Sequence, residues 1–229
     1  MKAVVLSSGG VDSTTCLSIA VDKYGKENVS TVTIFYGQKH DKEIEAARKI
    51  ASYYGVKHYE FDLSQIFKYS DSSLLTGSTQ KITHKSYAEQ IEENKEGIVS
   101  TNVPFRNGLM LAAVTSLAAS LYENEDVELY IGAHGDDAAG NVYADCSTEF
   151  LSKMSGAIFI GTYGKVHLIS PFAGMHKAAV VAKGIQLKTP YELTWSCYEG
   201  GEKPCGLCGT CRDRAAAFAA NGVKDPALG

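Results

Sequence analysis

The chain has 229 residues, of which 45% are hydrophobic and 21% charged, with a formal net charge of −4. These values exclude a disordered or low-complexity chain and fit one α/β domain of ordinary size, able to bury about 70% of its unfolded surface. The acidic balance argues against a protein that grips long nucleic acid through its phosphates. No stretch reaches the ~18 apolar residues of a membrane span, and the opening Met1–Leu6 run, ended by Gly9-Gly10, is too short for a signal peptide. A cytoplasmic protein is expected.

In chain order, Ala3–Ser8 is an apolar run ending in Ser-Gly-Gly and predicts a buried strand, and Thr14–Tyr24 predicts a helix. Val29–Tyr36, rich in β-branched residues, predicts a second strand. Asp41–Tyr54 places Ile44, Ala47, Ile50 and Ala51 at helical spacing. Val56–Leu63 is a third strand and Asn107–Tyr122 a nearly all-apolar helix. Val127–Ala133 is a fourth strand, Ser147–Phe159 a helix, Val166–Ser170 a fifth strand and His176–Leu187 a helix. The alternation predicts an α/β fold, a doubly wound, mostly parallel sheet with helices on both faces. Ligands then belong beyond the carboxyl ends of the strands. The polar clusters Ser8–Ser13, Gly37–His40 and His134–Asp145 all fall there. Residues 64–100 break the rhythm, Ser/Thr-rich and then charged, and read as an inserted lid or a solvated surface insert. Residues 1–190 form the α/β domain on this reading, and 191–229 a C-terminal appendage.

Ser8-Gly9-Gly10-Val11-Asp12-Ser13 follows a strand and opens a helix. Two glycines allow a tight turn that brings N–H groups close to an anion, and the helix N-terminus adds its positive end. Ser8 and Ser13 add hydroxyl donors. Asp12 would repel phosphate, so its expected work is to hold Mg²⁺ or orient the loop. The run is neither a Walker loop nor a dinucleotide fingerprint. Lys177, at a helix start, is a candidate second phosphate contact. Arg106 is a candidate clamp for a substrate carboxylate or phosphate through its planar fork, and Asn107 is expected as the cap of the helix that follows. Gln38 and His40 lie at a strand end facing the expected cleft.

Four of the six cysteines, Cys197, Cys205, Cys208 and Cys211, fall within fifteen residues. Four thiolates at this spacing match a closed tetrahedral Zn²⁺ site of structural type, and an iron–sulfur cluster is the rival occupant. The fold therefore carries a C-terminal zinc-stapled helical appendage. Cys16 and Cys146 read first as packing residues, Cys146 with a place at the active-site wall as its alternative.

The Ser-Gly-Gly-x-Asp-Ser loop resembles that of the N-type ATP pyrophosphatases, whose fold is adenine nucleotide alpha hydrolase-like. With Tyr36–His40, Val103–Asn107, Gly132-Ala133-His134, Asp137, Gly140, Tyr143, Asp145, Cys146, Pro171, Lys177, Thr194–Tyr198 and the cysteine cluster, nearly the whole chain resembles the 7-cyano-7-deazaguanine synthase family of the queuosine pathway. That family commonly has Gly where this chain has Phe105, and Pro where it has Ala144, and two extra residues fall between Gly140 and Asp145.

The resemblance implies cleavage of ATP between its α- and β-phosphates, and transfer of AMP to 7-carboxy-7-deazaguanine. It implies that free ammonia then displaces AMP, and that the product is a nitrile. It implies nucleotide binding by Ser7, Ser8, Gly9, Gly10, Val11, Asp12, Ser13, Thr14, Thr15, Cys16 and Leu17. Catalytic work falls to Asp12, Ser13, Lys177 and Arg106. Substrate binding falls to Gln38, His40, Arg106, Asp137, Tyr143 and Asp145. A carboxylate can accept both N–H donors of a guanine-like edge, for which Asp137 and Asp145 are the candidates, Asp145 preferred. Tyr143 stacks on the ring or merely packs. ATP, Mg²⁺ and structural Zn²⁺ are the expected cofactors and a homodimer the expected assembly. A tRNA-modifying relative such as a thiolase, a relative that ligates a deazaguanine to a protein amine, and a non-enzymatic nucleotide-binding module are the competing readings.

Overall fold

A computed structural model describes residues 1–93, 98–139 and 142–228 of the chain. Five parallel strands form one sheet: β1 (Lys2–Leu6), β2 (Val29–Phe35), β3 (Lys57–Asp62), β4 (Val127–Tyr130) and β5 (Val166–Ile169). Their spatial order is β3-β2-β1-β4-β5. Val4 pairs with Ser30 on one side of β1 and with Leu129 on the other. Because β1 is central, its apolar residues serve two cores in turn. Ala3 and Val5 join α1 (Val11–Tyr24), α2 (Lys42–Tyr54) and α8 (Lys177–Gln186) on one face, through Cys16, Leu17, Ala46, Ile50 and Val180. Val4 joins α5 (Arg106–Leu121) and α7 (Thr148–Gly161) on the other, through Leu111, Val114, Leu151 and Ile158. This is the period-two alternation of a strand buried on both faces.

Residues 64–100 carry two short helices, α3 (Ser64–Phe67) and α4 (Tyr87–Glu93). Phe67, Leu74, Leu75 and Val99 are buried in the main core, so these parts of the segment belong to the packed body and are no solvated insert. The charged run expected over Glu89–Glu96 lies partly outside the described residues, as does Gly140.

Two further boundaries differ from expectation. Strand β4 ends at Tyr130, and a short helix, α6 (Gly135–Ala138), follows. Helix α5 begins at Arg106, and Asn107 is not its cap: Phe105 precedes it in the left-handed region, at φ 53°. A bulky residue there is strained, and glycine is the residue at ease in that region.

After a 3-10 turn at Tyr191–Leu193, the chain closes with α9 (Gly209–Ala220). Ala217 and Phe218 of α9 pack with Val11 of α1, Val181 of α8 and Tyr191. The buried Arg214 holds the last segment through Asp225, with Nη2 2.8 Å from Oδ1, and also donates to Thr194 Oγ1 at 2.9 Å and to the Tyr191 carbonyl at 3.2 Å.

Candidate active site

The strand order reverses direction between β1 and β4, so the loops that leave them diverge and open a crevice at their carboxyl ends. One cleft lies there, of about 1210 Å³ counting its open mouth.

Its floor is the loop after β1. Ser7, Ser8, Gly10, Asp12 and Ser13 line it. Gly9 sits at φ 76°, where a side chain would collide with the Glu43 carbonyl and lie 2.7 Å from the Ala47 nitrogen, so the turn requires glycine on both counts. Ser13 Oγ accepts from the Ser8 nitrogen at 3.2 Å, and the Trp195 nitrogen donates to the Gly9 carbonyl at 2.9 Å. A Cβ on Gly132, after β4, would stand 2.8 Å from the Asp12 carbonyl carbon. The two strand ends are therefore held at backbone distance. The first N–H groups of α1 have no intrahelical partners, and they open on the cleft.

Above this floor stands a polar centre. Lys177 Nζ, on a side chain 10% exposed, lies 2.7 Å from Asp12 Oδ2 and 3.2 Å from His134 Nε2. His134 Nε2 is 3.3 Å from Asp137 Oδ2. Burial opposes the charged form of Asp12, but Lys177 and His134 beside it outweigh burial and hold the carboxyl below its ordinary value. Burial likewise opposes charge on Lys177, and the Asp12 and Asp137 carboxylates raise it above the ordinary lysine value. Burial raises Asp137. Lys177, 165 residues from Asp12, is placed by the backbone: its N–H donates to Asp136 Oδ2 at 2.7 Å.

The far wall is aromatic. Tyr36, Tyr87, Tyr143, Trp195 and Tyr198 line it with Met110 and Arg106. The Arg106 guanidinium lies 5.1 Å above the Tyr36 ring, a cation–π distance, with Nη1 3.3 Å from the hydroxyl. Tyr143 is buried, bonded to Thr101 Oγ1 at 2.6 Å and set edge-on to Tyr87. Glu43 of α2 also faces the cleft, and burial pushes its carboxyl up to about 7, with Arg106 acting against that and Cys197 with it.

The structure thus brings Gln38, Arg106, Asp137, Tyr143 and Lys177 into one cleft with the loop, and Cys146 joins them at its wall. It places other candidates elsewhere. Val11, Cys16 and Leu17 point into hydrophobic packing. Thr14 Oγ1 donates to the Gly10 carbonyl, and Thr15 Oγ1 bonds the Val11 carbonyl and Tyr191. Asp145 does not line the cleft: its Oδ2 accepts the Asn107 N–H at 2.9 Å, satisfying an open donor of α5. His40 packs edge-on against Trp195, beside Gly200. Glu43, Trp195, Ser196, Thr210 and Asp213 line the cleft without having been singled out as site residues. Glu43 and Asp213 sit inside helices and carry no motif signal; only folding turns them inward.

The four cysteines form a second centre. Their sulfurs all lie within 4.8 Å of one another. Backbone N–H groups of Glu199 and Cys205 point at Cys197 Sγ at 3.4 and 3.3 Å, and that of Cys208 at Cys205 Sγ at 3.3 Å. Donors aimed at sulfur stabilise thiolates, so four sulfurs in this arrangement fit one metal ion. Trp195 Nε1 donates to the Cys197 carbonyl at 2.8 Å. The four-cysteine loop and the cleft wall are therefore one structure.

Known proteins resemble this chain over nearly its whole length. The family model for "Queuosine biosynthesis protein QueC" matches residues 2–222. Proteins named 7-cyano-7-deazaguanine synthase from Archaeoglobus fulgidus and from Caldicellulosiruptor saccharolyticus are each 41% identical to it, over 100% and 99% of this chain and 90% and 94% of their own. Among solved structures, NMN synthetase from Francisella tularensis shares the fold, with a TM-score of 0.50 at 11% identity over 97% of this chain and 78% of its own. From its sequence over nearly its full length, this chain belongs to the QueC family of queuosine biosynthesis proteins.

Proposed function

We propose that the protein converts 7-carboxy-7-deazaguanine and ammonia into 7-cyano-7-deazaguanine with ATP, as a carbon–nitrogen ligase. The observation that carries this reading is the joining of a phosphate-type loop, Ser8–Ser13, and an aromatic wall bearing Arg106 in a single cleft, within a chain of the QueC family. A carboxylate is a poor acyl donor because oxide would have to leave. Its oxygen attacks the α-phosphorus of ATP, pyrophosphate leaves, and the acyl adenylate carries AMP as a good leaving group. Ammonia adds, loses a proton and expels AMP to give the amide. A second adenylation, on the amide oxygen, lets that oxygen depart with AMP and two protons leave nitrogen, giving the nitrile.

The protein's share is position and charge. The loop and the start of α1 receive phosphate oxygens, Ser8 and Ser13 donate hydroxyls, and Lys177 meets the charge that develops on pyrophosphate. Arg106 holds the substrate carboxylate, with Gln38 and Tyr143 beside it. Asp12 and Asp137 are the carboxylates that would hold Mg²⁺, which supplies charge neutralisation for the phosphates. The four cysteines would hold Zn²⁺ in a structural role. The reading includes a cytoplasmic homodimer; no helix among the described residues is long and apolar enough to cross a membrane.

The test is a mass-spectrometric assay with 7-carboxy-7-deazaguanine, ATP, Mg²⁺ and ammonium, following amide, nitrile and nucleotide products together. Nitrile with AMP is expected. Zinc-replete, folded protein that consumes no ATP in a substrate-dependent way would overturn the reading and favour a protein-ligating or RNA-modifying activity.

A further inference from the structure

The carboxylates that line the cleft differ in what they already hold. Asp12 is paired with Lys177, and Asp137 lies against His134. Both stand in the polar centre beside the phosphate-type loop. Asp213, on α9, also has Lys177 and Asp137 among its charged neighbours. The Glu43 carboxylate makes no hydrogen bond or ion pair with any described residue. Asp213 likewise makes no hydrogen bond or ion pair with a described residue, so what sets Glu43 apart is its surroundings. Glu43 lines the cleft together with Tyr36, Trp195 and Arg106, and Arg106 is the cation acting on it.

An unpartnered carboxylate, partly withdrawn from water, is costly unless a ligand supplies donors. The ligand part that belongs among aromatic rings is a flat heterocycle, not a phosphate chain. A guanine-type ring presents two adjacent N–H donors on one edge, the ring N–H and the exocyclic amine, and a single carboxylate accepts both. Asp145 does not line the cleft, and its Oδ2 is committed to a backbone N–H of α5.

Building on the function proposed above, we propose that Glu43, set among the aromatic residues of the cleft and free of protein partners, is the specificity-determining residue that accepts the N–H edge of the deazaguanine ring. A glutamine there keeps one acceptor and turns an amide N–H toward the second donor, so it loses the match.

The test compares binding of 7-deazaguanine with that of 7-deazahypoxanthine, which lacks the exocyclic amine, by calorimetry. The unmodified protein and Glu43→Gln are both measured. The unmodified protein is expected to prefer 7-deazaguanine about 10- to 150-fold, the range for a hydrogen bond to a charged group. Glu43→Gln is expected to reduce that preference to about threefold or less, while the KM for ATP in the turnover assay stays within about twofold. Glu43→Asp, which keeps the charge but withdraws it, should fall between. No binding or no preference in the unmodified protein overturns the proposal, and if Glu43→Gln does not fold, this comparison and Glu43→Asp still decide it. Retention of the full preference by Glu43→Gln also overturns it, as does a rise in the KM for ATP alone, which would assign the carboxylate to the adenine amine. Neither base carries a carboxyl group, so their binding is read independently of turnover. Failure of the nitrile assay with the base preference intact would sink the proposed reaction and leave Glu43 as a purine-edge reader.

Discussion

Replacing Lys177 by methionine separates two jobs that its ammonium can do, holding Asp12 and holding phosphate. The side chains of the pair are 10% and 23% exposed, and the contact is 2.7 Å. Breaking a buried pair by removing one partner costs about 3–5 kcal/mol, and the partial exposure of Asp12 puts this case near the lower end, about 3 kcal/mol. For a chain of this size each kcal/mol moves Tm by about 2–4 °C, so Lys177→Met should melt about 6–12 °C lower. The double variant Asp12→Asn/Lys177→Met removes both charges and should regain most of that loss. Turnover should not follow. If the ammonium also meets the developing pyrophosphate charge, Lys177→Met loses about 10²–10³ in kcat, and the double variant stays inactive. The pH dependence has a definite sign. Asp12 lies below its ordinary 3.8, so its contribution is full above that value and fades as pH falls through the lowered one; Lys177 lies above its ordinary 10.5, so its contribution is full below that and fades as pH rises through the raised value. The stability gap between wild type and Lys177→Met should be flat between these limits and close outside them. Urea melts across pH, paired with ATP-consumption rates, make the measurement. A double variant no more stable than Lys177→Met refutes the electrostatic account, and wild-type turnover in Lys177→Met refutes the phosphate contact.

Other expectations follow from single contacts. Arg214→Ala strands Asp225, whose side chain is 4% exposed, and should cost about 3–5 kcal/mol in a denaturant melt; a loss below about 1 kcal/mol would show that the C-terminal segment is not anchored there. Phe105→Ala should be less stable than Phe105→Gly by about 1 kcal/mol, because both lose the ring and only glycine is at ease in the left-handed region; the reverse order would deny the backbone strain at φ 53°. Elemental analysis should find one zinc per chain, and chelation should shift the fluorescence of the single tryptophan, Trp195, whose indole is bonded to Cys197. An unchanged spectrum after complete metal loss would separate the metal loop from the cleft.

Much of the fold was legible because its signals are local. Every predicted strand and long helix exists within a few residues of its expected limits, since apolar runs between Gly-rich turns leave few alternatives for a chain of this kind. The errors sit where tertiary contacts outweigh pattern. Phe105 holds a conformation suited to glycine, with Gly108 leaving room for its ring, and no sequence rule assigns αL to a phenylalanine. Residues 64–100 look polar overall, yet Phe67, Leu74, Leu75 and Val99 are spaced irregularly enough to bury without periodicity. Thr14 to Leu17 share the loop's motif but follow helical geometry, which turns Cys16 and Leu17 away from the cleft into the core.

The sequence by itself determined the doubly wound alternation, the anion-binding turn and the four-cysteine cluster, because each rests on neighbouring residues: strand then Gly-Gly then helix, or thiolates with only two or seven residues between them. Only the tertiary structure decided which carboxylates share the cleft. Asp12 and Lys177, 165 residues apart, meet because the turns that follow β1 and β5, two places apart in the sheet, both leave its carboxyl edge. Asp145 became a helix cap and Glu43 a cleft residue through that same packing. A carboxylate's partners are set by which helix end or cavity lies within about 3 Å of it, a distance that sequence spacing alone does not encode.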